Sequence, residues 1–131
     1  MKITGELKDK MIAFLADPES RKIVASVLKE PKTATGIMTE LDMPSSSAYR
    51  RISDLKECGL LMVDSFLIRP DGKREALYLS SFSEISFKDE AGALVLDVTP
   101  SKKSLERRWF DLFFSRTSLP DDRDSAASGR T

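Results

Sequence analysis

The chain has 131 residues, of which 40% are hydrophobic and 32% are charged, enough for one compact domain with a short appendage. Its 21 basic and 21 acidic residues cancel, so the total charge gives no general attraction to nucleic acid or to a membrane surface. Histidine is absent and Cys58 is the only cysteine, which excludes His-dependent triads, most zinc sites and an internal disulfide. The composition therefore argues against an enzyme, a metal or another cofactor, and for a cytoplasmic protein without a membrane span.

Short helices are predicted in the first part of the chain. Residues 1–16 form an N-terminal extension with enough apolar residues for one or two helical turns. Asp17, Pro18 and Glu19 are then typical of a helix start, since they supply an N-cap, a proline in the first turn and an acid near the positive end of the helix dipole. We expect this helix to cover 18–29.

A helix-turn-helix pattern follows. The sequence predicts a helix over 35–41, a tight turn over 42–44 and a third helix over 45–58, which Gly59 ends because it tolerates the left-handed conformation. The residues spaced for the buried face of the third helix are Ala48, Ile52 and Leu55.

Beyond Gly59 the pattern changes from helices to strands. Residues 60–68 and 75–80 are rich in aliphatic and aromatic residues, and the polar turn over 69–74 joins them into a β-hairpin with a basic tip. A second hairpin is predicted over 84–99. It is acidic, but its carboxylates lack the spacing of a calcium-binding loop, so we expect it to be a solvated hairpin.

A last helix is predicted over 102–116, and 117–131 is expected to be disordered. The apolar arc of this helix is wider than a terminal helix usually needs, which favours a homodimer interface. Two alternatives stay open: the helix packs only on its own core, or it lies on a membrane surface, because basic residues flank its aromatic ones. The candidate interface residues are Leu105, Trp109, Phe110, Leu112 and Phe113.

Two segments resemble those of known regulators. The stretch DPESRKIVASVLKE, residues 17–30, resembles the first core helix of ArsR-type and related archaeal regulators. The stretch MPSSSAYRRISDLKECGLL, residues 43–61, is similar to their recognition helix and its exit into the wing. The matching residues are Ser45, Ser46, Ser47, Ala48, Tyr49, Arg50, Arg51, Ile52, Leu55, Gly59 and Leu60.

The resemblance, which covers roughly residues 18–80, implies a winged helix-turn-helix fold. With the added β-hairpin and the C-terminal dimerisation helix predicted from the residues themselves, the expected fold class is α+β. The predicted organisation is an extension over 1–16, the winged helix over 17–80, the hairpin and dimer helix over 81–116, and the tail over 117–131. Metal-sensing members of the family carry a Cys-x-Cys pair or His and carboxylate clusters. One cysteine and no histidine exclude that role here, and the effector stays unnamed.

The outer face of the helix over 45–58 is predicted to enter the DNA major groove. Arg50 lies opposite the core position Ala48, and its forked guanidinium suits guanine, so it is the best candidate to read a base. Two alternatives remain, in which Ser45 or Ser46 only caps the helix, and Arg51 pairs with Glu40 or Asp54. The candidate DNA-binding residues of this helix are Ser45, Ser46, Ser47, Tyr49, Arg50, Arg51 and Ser53.

The hairpin tip supplies a second candidate contact. Arg69, Lys73 and Arg74 surround Asp71 and give a local surplus of positive charge suited to the DNA backbone or minor groove. The alternative is that these residues only keep an exposed turn soluble and block edge-to-edge strand pairing.

We therefore expect a sequence-specific regulator of transcription that binds double-stranded DNA as a homodimer, by default a repressor. The rival interpretation is a winged-helix protein-interaction module in a larger assembly, without DNA binding. Cys58, at the end of the recognition helix, is interpreted as a packing residue, with a redox switch as the alternative.

Overall fold

The computed structural model describes residues 1–109 and 112–113 and contains both helices and strands. Residues 1–101 form one compact unit and the residues from 102 onward belong to a second. The elements of the first unit are β1 (Lys2–Ile3), α1 (Gly5–Leu15), α2 (Pro18–Ser26), β2 (Lys32–Thr33), α3 (Ala34–Leu41), α4 (Ser45–Glu57), β3 (Leu61–Ile68), β4 (Arg74–Ser80), β5 (Phe82–Glu90) and β6 (Ala93–Pro100). The second unit begins with α5 (Lys102–Glu106).

The run from α2 to β4 is a winged helix. Strands β2, β4 and β3 form an antiparallel sheet in that order, and the β3–β4 hairpin pairs from Leu61 with Ser80 to Ile68 with Arg74. Asp64 is an extra residue on β3, where the register shifts. The predicted fold class is thereby confirmed. The helices bury a shared core, whose fully buried members include Ile23, Val27, Ile37, Ile52, Leu55 and Leu60.

The signals at the start of α2 are confirmed, whereas its predicted end is wrong. The Asp17 carboxylate accepts a hydrogen bond from the Glu19 backbone N–H at 3.3 Å. The helix ends at Ser26 rather than at residue 29, because the Val27 and Leu28 N–H groups bond three residues back, to Val24 and Ala25, in a tighter turn.

The two turns on either side of α4 are those that the sequence predicts. Asp42 is left-handed, with φ 54°, and the Met43 N–H reaches back to the Met38 carbonyl at 3.0 Å, closing α3. Gly59 has φ 90°, and the Leu60 N–H donates to the Leu55 carbonyl at 2.9 Å. Both bonds span five residues, as in a Schellman motif, and they fix the direction in which α4 begins and ends.

A second sheet joins the two ends of the first unit. Its strand order is β1, β6, β5, and β1 pairs Lys2 with Asp97 and Ile3 with Leu96. The predicted second hairpin is present as β5 and β6. The N-terminal extension differs from its prediction, because it contains a strand and an 11-residue helix instead of one or two helical turns.

The predicted continuous helix over 102–116 is wrong at its centre. Helix α5 ends at Glu106, Arg107 and Arg108 form a turn, and Arg108 is left-handed with φ 52°. Helical conformation returns at Trp109. Periodicity predicts a helix here but does not reveal the break, since no Gly or Pro marks it and Arg favours helices. Phe110 and the predicted tail over 117–131 lie outside the described residues.

Candidate nucleic-acid interface

Helix α4 has one buried and one exposed face. Ala48, Ile52 and Leu55 are at most 2% exposed, as their spacing predicts. On the other side Arg50 is exposed and Tyr49 is half exposed. Ser45, Ser46 and Ser53 are exposed as well. The structure therefore presents five of the predicted contact residues on one accessible surface of a helix held rigidly by its core side.

The serines at the start of α4 are not used as caps. The N-cap residue is Pro44, and no side chain caps this helix. The interpretation of Ser45 or Ser46 as a capping residue is therefore wrong, because proline occupies the position from which a serine would act. Their exposed hydroxyls stand beside the backbone N–H groups of the first helical turn, an arrangement suited to a phosphate.

Arg51 differs from its neighbour Arg50. Its Nε donates to Asp17 Oδ2 at 2.7 Å, and its Nη1 donates to the Ser47 hydroxyl. Its side chain is only 21% exposed. The predicted partners Glu40 and Asp54 are wrong, because Asp17 at the start of α2 is within reach and Glu40 is bound by Lys32 at 2.6 Å.

Asp71 organises the tip of the wing. Its Oδ2 lies 3.3 Å from an Arg69 guanidinium nitrogen, and its Oδ1 accepts from the Lys73 N–H at 3.0 Å. The Gly72 backbone, at φ 86°, and a 2.8 Å bond from the Arg69 N–H to the Lys73 carbonyl close the turn. All three predicted basic residues are exposed. One of them, Arg69, is paired with an acid within the tip.

The wing also contains a feature that the sequence analysis missed. The Arg74 guanidinium carbon lies 4.0 Å from the centroid of the Phe66 ring, a cation–π contact. Phe66 and Arg74 stand on facing strands two register positions apart, so their spacing around the predicted turn could have indicated the contact. Phe66 belongs to an exposed apolar run with Leu67 and Ile68, which are 51%, 49% and 64% exposed in that order.

Tyr78 lies on β4. Burial raises the pKa of the Tyr78 hydroxyl, and the neighbouring Tyr49 raises that pKa further. The pairing of Tyr78 with Lys32 and with Val63 places it at the centre of the β2–β4–β3 sheet.

The predicted dimer residues differ in exposure. Leu105 and Leu112 are 60% and 65% exposed, whereas Phe113 is buried. The rings of Trp109 and Phe113 stack with their centroids 4.8 Å apart. The leucines therefore supply the accessible apolar surface, and the aromatic pair stabilises the segment that carries Leu112.

Cys58 is buried at the end of α4. Its thiol donates to the Leu55 carbonyl at 3.5 Å, and burial raises its pKa to about 11. A raised pKa disfavours the reactive thiolate, which supports the packing interpretation. Within residues 1–109 and 112–113, no group of three Cys, Asp or Glu side chains is placed to hold a metal ion. Over the same residues, no helix is both long and apolar enough to span a bilayer.

One family model matches the helical segment. Residues 17–63 match the model of the family described as bacterial regulatory protein, arsR family. This range contains α2, β2, α3 and α4 and ends in β3. A comparison with curated proteins gave no match.

Two solved structures are similar over most of the chain. One is the homodimeric winged helix-turn-helix DNA-binding domain of Mb0332 from Mycobacterium bovis, a possible ArsR-family transcriptional regulator. It has 11% identity and a TM-score of 0.42, over 92% of this chain and 89% of that one. The other is NolR from Sinorhizobium fredii, with 13% identity and a TM-score of 0.41, over 91% of this chain and 99% of that one.

Proposed function

We propose that the chain is a sequence-specific DNA-binding regulator of transcription that acts as a homodimer. The match of residues 17–63 to the model of the arsR family of bacterial regulatory proteins supports this proposal. One observation carries this proposal. The outer face of α4 presents Arg50 and Tyr49 to solvent, while the opposite face is locked into the core by Ile52 and Leu55. A helix held in this way can enter a major groove without refolding.

Within the groove, Arg50 is the base-reading residue. Its guanidinium can donate two parallel hydrogen bonds to guanine O6 and N7. Ser45 and Ser46, at the exposed start of the helix, contact phosphate, and Tyr49 and Ser53 line the same surface. Ser47 has a different role, because it accepts a hydrogen bond from Arg51.

The wing adds contacts outside the major groove. Lys73 and Arg74 project from the tip and are placed to meet the backbone or the minor groove beside it. Arg69 shapes the tip through Asp71 and contributes less net charge. The acidic β5–β6 hairpin faces away from the DNA, since its carboxylates would be repelled by phosphate.

Dimerisation is assigned to the C-terminal segment. Leu105 and Leu112 offer apolar surface that a second copy can cover. The other residues proposed for this interface are Trp109, Phe110 and Phe113. A two-fold dimer would place two recognition helices in successive major grooves, about 34 Å apart. Binding at such a site in the cytoplasm would block polymerase, so we propose that the protein is a repressor. Its proposed role is to bind DNA and not to catalyse a reaction.

A second candidate function is favoured by the wing itself. Phe66, Leu67 and Ile68 expose three consecutive apolar side chains, which is more apolar surface than phosphate contact requires. A protein-interaction module would use this run to bind another protein. Under this alternative the basic residues of α4 would have no role in binding.

Fluorescence anisotropy with a pool of random duplexes separates the two functions. The variants are Arg50→Glu and Lys73→Glu, with Lys88→Glu on β5 as the control, because Lys88 is exposed and far in sequence from both contacts. We expect the wild-type protein and the control to bind with salt-dependent affinity, and each of the other variants to bind at least tenfold more weakly. Equal affinity for all four proteins would refute DNA binding through α4 and the wing.

A further inference from the structure

Adjacent arginines on α4 have opposite environments. Arg50 is exposed, whereas Arg51 uses its guanidinium on two protein acceptors, Asp17 at 2.7 Å and the hydroxyl of Ser47. The bond to Asp17 joins α4 to a residue 34 positions earlier in the chain. The bond to Ser47 lies within α4 itself, one helical turn back.

Asp17 is held firmly from its own side. Besides Arg51, its carboxylate accepts from the Ser20 hydroxyl at 2.9 Å and from the Glu19 N–H at 3.3 Å, so it caps α2. Helix α2 is fixed in turn by Ile23 and Val24, which are buried. The Arg51 bond, with the Ser20 bond next, lowers the pKa of the Asp17 carboxyl to about 2. Asp17 is therefore ionised at any pH at which the protein would meet DNA.

This geometry decides which arginine reaches DNA. The Arg51 guanidinium uses two of its five N–H donors in these bonds, and its pairing with a carboxylate and its exposure of only 21% hold it back from a phosphate or a base. We infer that Asp17 is a positioning residue for DNA recognition: it anchors the first half of α4 to α2 through Arg51 and keeps that guanidinium away from DNA, leaving Arg50 to read the sequence. The inference rests on the proposed function and deepens it.

The variant Asp17→Asn isolates the charge of this residue. Asparagine caps a helix about as well as aspartate does, so the start of α2 is retained. The charge that attracts Arg51 is lost, and Arg51 becomes available to a phosphate. The matched control is Glu19→Gln, which removes an acid from the same helical turn. The Glu19 carboxylate pairs with Lys22 on the surface, at 3.2 Å.

The experiment begins with a duplex selected by the wild-type protein from a random pool. Affinities for this duplex and for a scrambled one are measured by anisotropy from 50 to 300 mM NaCl. With Asp17→Asn we expect a salt slope steeper by about 1.8 per dimer, because each protomer gains one phosphate contact worth about 0.9. We also expect the ratio of selected to scrambled affinity to fall about tenfold, since α4 is less well placed to make its base contacts.

A double variant identifies the released residue. Asp17→Asn combined with Arg51→Met should return the salt slope to the wild-type value, because the freed guanidinium is then absent. Amide hydrogen exchange of residues 48–52 in the free protein gives a readout without DNA, and it should be faster in Asp17→Asn than in Glu19→Gln. A merely structural role for Asp17 would lower thermal stability without steepening the salt slope.

The outcomes separate the inference from the function on which it rests. Wild-type slope and affinity ratio in a folded Asp17→Asn protein would overturn the positioning role while leaving DNA binding intact. Failure of the wild-type protein to select any duplex would overturn the proposed function, and the inference with it. A slope that stays steep in the double variant would show that Arg51 is not the released cation, which also overturns the inference.

Discussion

Replacing Arg50 with glutamine should weaken binding to a selected duplex at every salt concentration and leave the salt dependence nearly unchanged. The change removes one exposed positive charge from the outer face of α4 and keeps a polar side chain of similar length. It leaves the core side of the helix untouched, since Ala48, Ile52 and Leu55 supply that packing. Both the folded state and the dimer should therefore survive the change.

The magnitude follows from the charges that remain available at the interface. Arg51 is paired with Asp17 and Arg69 with Asp71, so each protomer offers Lys73 and Arg74 to phosphates and Arg50 to a base. A dimer then neutralises about four phosphates, and the logarithm of its affinity should fall with the logarithm of salt concentration at a slope of about −3.6. Between 50 and 200 mM NaCl the affinity should drop about 150-fold for the wild type and by about the same factor for Arg50→Gln, because the contact that this variant loses is to a base and not to a phosphate.

Anisotropy titrations of one selected duplex at four salt concentrations measure both slopes. At fixed salt the variant should bind more weakly by about 2–6 kcal/mol, the value of two bidentate base contacts per dimer. Lys88→Gln serves as the control, and its affinity should equal that of the wild type. Wild-type affinity of Arg50→Gln for the selected duplex would refute the assignment of Arg50 to a base, and a slope shallower by about 1.8 would place its guanidinium on phosphate instead.

Three further predictions follow from the same structure. The folded-state pKa of Asp17, about 2, lies below its ordinary 3.8, so the pair with Arg51 stabilises the fold above about pH 4 and is lost as pH falls towards 2. The difference in urea midpoint between wild type and Asp17→Asn should shrink over that window, and growth of the difference on acidification would contradict the pairing. Native Cys58 should react with a disulfide reagent at pH 8 only as fast as the protein opens. The reason is that burial raises the pKa of its thiol to about 11, which leaves about a hundredfold less thiolate than usual. Immediate stoichiometric labelling would restore the redox interpretation. Leu112→Asp should give a folded monomer in analytical ultracentrifugation, whereas the control Leu94→Asp, on the second hairpin, should stay dimeric. If both variants are monomeric, or if both are dimeric, the C-terminal segment is not the dimer interface.

Local signals made α4 predictable from the sequence. Pro44 before the helix, the spacing of Ala48, Ile52 and Leu55, and the left-handed Gly59 all lie within the segment itself. Each of these signals acts through neighbours at most a few residues away, so no knowledge of the fold is needed to interpret them. The same holds for the wing, where the turn residues define the hairpin.

Long-range pairing was not predictable in the same way. Strand β1 has only two residues, too few for a periodic pattern, and its partner β6 lies more than 90 residues later. The ion pair of Arg51 with Asp17 was equally impossible to predict from the sequence pattern. Asp17 was recognised as a cap of its own helix, but only the packing of α2 against α4 brings its carboxylate to Arg51.

Asp17 and Asp71 each pair with one arginine of the predicted DNA surface, so two of its five cations are neutralised within the protein. Non-specific affinity comes almost wholly from phosphate contacts, whereas discrimination comes from base contacts. On the proposed function, the two pairs would reduce the number of phosphate contacts and leave Arg50 for a base, which would weaken binding to random DNA more than binding to the selected site. We therefore expect the paired acids to raise the specificity ratio, and Asp17→Asn to lower it even where it tightens overall binding.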